Sequence, residues 1–105
     1  MSKDVIWKYR FPPQDEVRVA MPEDAAILSV GAQDSFICAW AIVDREAQLT
    51  QRTFFVRGTG HPPPPEPYVF LGTVFDGAFV WHVFAKFETG LRDDLVSDWS
   101  QWASQ

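Results

Sequence analysis

The sequence predicts a mainly β fold: about seven antiparallel strands in a small sandwich or barrel, followed by one C-terminal amphipathic helix. Three observations carry this prediction. Short runs rich in Val, Ile, Phe, Trp and Thr recur along residues 5–87, each bounded by Pro, Gly, Asp or Gln, which is the pattern of strands separated by turns. Asp76-Gly77 stands between two apolar, aromatic runs, 68–75 and 78–87. Such a dipeptide is the strongest short-range hairpin signal, because Asp and Gly tolerate the positive φ of a tight turn. From Thr89 onward the period changes: Leu91, Leu95, Trp99 and Trp102 recur at spacings of four, four and three, one face of a helix.

Taken in order, residues 5–11 alternate, with Val5, Trp7, Tyr9 and Phe11 on one face and Ile6, Lys8 and Arg10 on the other. This is a first strand with one wetter face, ended by Pro12-Pro13. Val17, Val19 and Met21 alternate with Arg18 and Ala20 in a second strand that stops at Pro22. Residues 26–32 form a third strand, and Gln33-Asp34 turns into a fourth over 35–43. That fourth run is apolar on both faces, which predicts a central position. Residues 44–50 read as a loop and 51–57 as a fifth strand. Residues 58–67 are irregular, and the four consecutive prolines at 62–65 impose an extended polyproline II rod, a rigid spacer rather than a ligand for a Pro-reading module. The Asp76-Gly77 hairpin supplies strands six and seven. Both carry apolar residues on both faces, so the hairpin is expected inside a sheet and not at its edge. Thr89 can cap the final helix, with Asp93 and Asp94 early, where the helix dipole favours acid.

One domain accounts for the 105 residues: a β domain over 1–87 and an appended acidic helix over 88–105. Hydrophobic content of 47% and aromatic content of 15% exclude disorder. The net charge of −5 argues against binding to a phosphate backbone, though not against a basic local pocket. Residues 88–105 hold four acids against one Arg, so −3 of that charge sits in the last segment. A single Cys excludes an internal disulfide, no run is long enough for a membrane span, and the N-terminus has no apolar signal region. The expected setting is a host-cell cytoplasm, with no membrane.

Several short motifs recur in one known family: Ile-Trp-Lys-Tyr at 6–9, Met-Pro at 21–22, Ala-Ile-Leu-Ser-Val at 26–30 and Trp-Ala-Ile-Val-Asp at 40–44. Arg-Thr-Phe at 52–54, Gly-Thr-Gly-His-Pro at 58–62, Gly-Thr-Val at 72–74 and Val-Trp-His-Val-Phe at 80–84 complete the set. In this order and spacing they resemble a family of small proteins of unknown function found widely in bacteriophage and prophage genomes. The resemblance spans roughly residues 5–87 and implies a phage or mobile-element origin and a compact β domain. It brings no activity and no catalytic residues. Members of that family typically stop near the position of Phe87, so the acidic, Trp-bearing segment is a departure from it.

Two places are candidate sites. In the first, the backbone N–H groups of Gly58, Thr59, Gly60 and His61 could form an anion-binding nest, joined by the Thr59 hydroxyl, the His61 imidazole and the charges of Arg52 and Arg57. That would suit a phosphate or a nucleotide. The competing explanation is a strand end that needs positive φ; the motif lacks the Gly-Lys-Ser/Thr ending of a phosphate-binding P-loop. The second place is the final helix, where Leu91, Leu95, Trp99 and Trp102 form an apolar stripe flanked by Asp93, Asp94 and Asp98. Trp is enriched at interface hot spots, so this stripe suits docking on a partner, or on the chain's own sheet. His82 and Cys38, flanked by apolar residues, read as packing residues, and two His are too few for a zinc site.

The expectation is therefore a non-enzymatic interaction protein without cofactor or metal. Its most concrete form is an inhibitor of a host defence or nucleic-acid-handling complex, such as a CRISPR effector, acting on a host protein or ribonucleoprotein by blocking a surface, with no direct nucleic-acid binding. The alternative is an oligomeric module that sequesters a small anionic ligand, such as a signalling nucleotide, through the 58–62 loop. An enzyme built on His61 and His82 ranks below both, since no spacing demands acid–base chemistry.

Overall fold

The computed structural model describes residues 4–87. They form seven strands: β1 (Asp4–Phe11), β2 (Glu16–Pro22), β3 (Ala26–Gln33), β4 (Phe36–Asp44), β5 (Leu49–Gly58), β6 (Tyr68–Asp76) and β7 (Phe79–Lys86). All pairings are antiparallel. The strands make two sheets, β1-β4-β3 and β2-β5-β7-β6, so the architecture is a sandwich and not a closed barrel. The expected helix over 88–105 lies outside the described residues.

The core follows from the alternation. On β4, Ile37, Ala39, Ala41 and Val43 point inward and are buried. Facing them from the other sheet are Phe54, Val56, Val74, Val83 and Ala85, with Phe11 stacked on Phe54 at 4.9 Å between ring centroids. Each large side chain buried in this way contributes about 1.5–3 kcal/mol relative to exposure. The outward residues of β4 are apolar too, as expected for a central strand, and β4 does lie between β1 and β3. A polar roof covers part of that outer face: the Arg10 guanidinium sits 4.3 Å from the Phe36 ring centroid, and Lys8 Nζ donates to Gln33 Oε1 at 2.8 Å. The Trp40 ring lies so close over Gly31 that a Cβ there would stand 3.3 Å from it. Cys38 is fully buried, but beneath this roof, outside the inner cluster.

The hairpin departs from expectation in two ways. Asp76 pairs with Phe79, so the two loop residues are Gly77 and Ala78, not Asp76 and Gly77. Only Gly77 has positive φ, at 60°, the pattern of a type II′ turn with Gly first. The hairpin is also not wholly interior: β7 is internal, but β6 is an edge strand. Its apolar outer residues mark an exposed aromatic face rather than burial on both sides.

The two sheets come together closely along the β3 and β6 edges. Both edges carry a β-bulge, between Ile27 and Ser29 on β3 and between Phe70 and Gly72 on β6. Bulges bend an edge and increase its twist. Gly72 permits the contact, since a Cβ there would stand 2.9 Å from Val30 Cγ2.

β5 and β6 run parallel with β7 between them. Gly58 ends β5 beside Trp81, and Tyr68 starts β6 beside Lys86. Residues 59–67 must therefore travel back along β7 by roughly 17 Å, a distance that an extended Pro-rich segment covers easily. The inner face is filled, so the crossing runs over the outer face. Pro64 is buried there, and so is Phe55, although Phe55 points away from the core. The strap ends at a cis Glu66-Pro67 bond, and Phe87 N–H donates to the Pro67 carbonyl at 3.1 Å.

Candidate functional site

Gly58, Thr59, Gly60 and His61 form one tight turn. His61 N–H donates to the Gly58 carbonyl at 3.1 Å, and Gly60 at the third position has φ 94°, the pattern of a type II turn. The turn consumes one of the N–H donors that an anion nest would need. His61 itself is exposed.

The residue gathered against this turn is His82. Thr59 Oγ1 lies 2.8 Å from His82 Nε2, and Thr73 Oγ1 lies 3.0 Å from His82 Nδ1. Both ring nitrogens are thus held by hydroxyls, and the imidazole ties together the strap, β6 and β7. Ligation of a metal by either nitrogen would require one of these bonds to break, whereas a ring acting as a base would act on a hydroxyl already bonded to it. Among the described residues, no group of three His, Cys, Asp or Glu side chains is arranged to hold a metal ion.

The two arginines part company. Arg57 stands opposite His82 in the register of β5 and β7, but its head turns toward the corner before β2. There Nη1 donates to the Asp15 carbonyl at 3.1 Å and lies 3.4 Å from Asp15 Oδ1, with the guanidinium over the Phe55 ring at 5.6 Å. Arg52 lies roughly 17 Å further back along β5 by strand rise. It belongs to the inward-facing set, and its Nη1 donates to the Ala25 carbonyl at 2.9 Å. The structure therefore brings together Thr59, Thr73 and His82, with Arg57 beside them, and leaves Arg52 at the other end of the strand. Sequence reasoning passed over Thr73 and His82 as a pair because the turn was placed one residue early. With Gly77-Ala78 as the loop, the two residues fall opposite each other.

At the Arg52 end, Asp4, Glu23, Asp24 and Asp44 line a cleft of about 410 Å³ together with Ala26, Ile42 and Ala47. Its carboxylates give it acidic character, the opposite of an anion site.

Large apolar side chains form the other surface feature. Phe75 is 74% exposed, Phe79 59% and Phe70 50%, all on the β6–β7 hairpin. Phe70 and Tyr68 both pack edge-on against Phe84, at 5.3 and 5.0 Å, and Phe79 stacks on Trp81 at 5.6 Å. Phe70 and Phe79 are thus held by neighbouring rings, on opposite faces of the hairpin. Leu91, Asp93, Asp94, Leu95, Asp98, Trp99 and Trp102 lie outside the described residues.

A family defined as a domain of unknown function, DUF7352, matches residues 2–91. The chain belongs to the DUF7352 family. No curated protein matches it, and no solved structure does. The DUF7352 match spans all seven strands, so the Thr59–His82–Thr73 cluster and the aromatic hairpin both fall within the family's domain.

Proposed function

We propose that this chain is a small, non-enzymatic interaction protein of phage type that binds a host protein or ribonucleoprotein complex and blocks one of its surfaces. A CRISPR effector, or another defence or nucleic-acid-handling machine, is the most concrete target. The observation that supports this reading is the aromatic surface of the β6–β7 hairpin, with Phe70 and Phe75 on its outer face and Phe79 on the other, each at least half exposed. Exposed aromatics supply large contact area, and interface cores are enriched in Tyr, Trp and Phe. Residues 88–105, with a net charge of −3, would add an acidic flank able to compete with nucleic acid for a basic surface.

The test is phage challenge of cells carrying a defined, active CRISPR system or another defence system, with and without the protein. Wild type should restore plaquing against at least one system. The double variant Phe75→Asp, Phe79→Asp and the truncation to residues 1–87 should each lose that effect while remaining folded. Failure to protect phage against every system in the panel would sink the reading.

A second reading is favoured by the cluster at the strap: a small anionic ligand bound by Thr59, Thr73, His82 and Arg57. It would enter beside the Gly60 turn, where a Cβ would meet nothing within 4 Å. Calorimetry with a panel of cyclic and linear nucleotides tests it. Binding should be lost in His82→Ala and Arg57→Ala, and no heat from any nucleotide with wild type removes this reading.

A further inference from the structure

Of the two edges of the three-stranded sheet, β3 is covered by β6, whereas β1 pairs with β4 alone among the described residues. One whole side of the β1 backbone therefore faces outward without a neighbouring strand, a template for pairing with another chain. β1 also carries two adjacent large apolar residues in the open, Ile6 at 62% and Trp7 at 42% exposure. Trp7 belongs to the inward-facing set, so its exposure marks an unfinished side of the core.

The charge pattern of β1 names the occupant. We infer that β1 pairs antiparallel with β1 of a second copy of this chain, with Trp7 opposite its own counterpart on the two-fold axis. This register places Asp4 opposite the second copy's Arg10, Val5 opposite its Tyr9 and Ile6 opposite its Lys8. Each half of the symmetric pair then repeats the same acid-to-guanidinium contact. Asp4 and Arg10 lie on the same outer face of the sheet, where the Phe36 ring already holds the Arg10 head. Moving the axis onward to Lys8 sets lysine against lysine, which like-charge repulsion disfavours. Moving it back to Ile6 sets Asp4 opposite Lys8, whose ammonium is already taken by Gln33, and leaves Arg10 without an acid from the described strand. Both inner faces stay aligned, because shifts of this kind preserve the two-residue period. The result is one continuous six-stranded sheet, β3-β4-β1 joined to its symmetry mate, with the two Trp7 rings closing the open sides of both cores. This pairing goes beyond the proposed function, since it occupies β1 and leaves the aromatic hairpin free.

Charge reversal on the full chain tests it by light scattering or sedimentation at about 50 µM, where mass action favours association. Wild type should have twice the 12.0 kDa mass of the single chain. Asp4→Arg alone and Arg10→Asp alone should each be monomeric, because each sets like charges against each other. An equimolar mixture of the two should form a heterodimer, because one chain then carries a guanidinium at both positions and the other a carboxylate at both. Opposite charges meet at each end of the paired strands. A wild type of single-chain mass overturns the inference, whether residues 88–105 or nothing covers β1. Single variants that remain dimeric, or a mixture that stays monomeric, overturn this register equally.

Discussion

Where β3 meets β6, the two sheets nearly touch: a Cβ at Gly72 would stand 2.9 Å from Val30 Cγ2, and each strand carries a bulge. Where β1 meets β2, the sheets approach at far fewer positions, and Trp7 is left 42% exposed on the inner face. The first side is finished by shape, through a missing side chain and two extra residues. The second is left open: Asp4, Lys8 and Arg10 sit on the outer face of β1, and the Arg57–Asp15 pair ties only the corner before β2. The inner cluster is buried all the same, and β1 is left as the open edge of the three-stranded sheet among the described residues.

The largest expected effect falls on what both sides share. Phe54→Ala, which removes a fully buried ring stacked on Phe11, should cost about 3–5 kcal/mol in urea unfolding, much of the stability of a domain this size. On the sealed side, Gly72→Ala should cost about 1–3 kcal/mol, because Val30 is β-branched and has little room to rotate away. Val30→Ala in the same chain should recover part of that loss in a double-mutant cycle. An unchanged midpoint for Gly72→Ala would mean that the sheets can separate there without penalty.

On the open side the effects are smaller and one has the opposite sign. The Tyr9 hydroxyl is buried with no hydrogen-bond partner among the described residues, and burial raises its pKa above 10.0. Tyr9→Phe removes an unsatisfied group and should stabilise the fold by about 1 kcal/mol. Because the folded pKa is raised, the neutral phenol's contribution is complete below pH 10.0 and is lost as pH rises through the folded value. Wild type should therefore lose stability in strong alkali faster than Tyr9→Phe, as thermal melts across that range would record. The smallest effect belongs to Asp15→Ala. The carboxylate is 90% exposed and the Asp15 carbonyl still accepts from Arg57, so the change should be about 0.5 kcal/mol or less.

The strands were legible because alternation and breakers agree: Pro12-Pro13, Pro22 and the 58–67 segment fall between strands or at their ends. The double-faced run at 35–43 identified the central strand correctly for the same reason, since β4 is flanked on both sides. The same pattern at 68–75 misled, because nothing in a single strand tells an outer face packed under cover from one of exposed phenylalanines. The site was less legible. Asp-Gly suits a type I′ turn and Gly-X a type II′ turn, and choosing the first slid the register so that Thr73 and His82 no longer met. Arg52 and Arg57 looked like one cationic pair, yet an odd spacing on a strand puts two side chains on opposite faces.

The strap over β7 has a consequence for how the chain comes off the ribosome. The strand that lies between β5 and β6 is the last of the seven to be made, so neither neighbour has its partner on that side until Lys86 has emerged. β4 stands in the same relation to β1 and β3, but its turn comes before the middle of the chain. Biogenesis is thus split: the three-stranded sheet can assemble early, while β5 and β6 wait for a closing strand on which the proline bridge between them also depends, through Thr59 and His82.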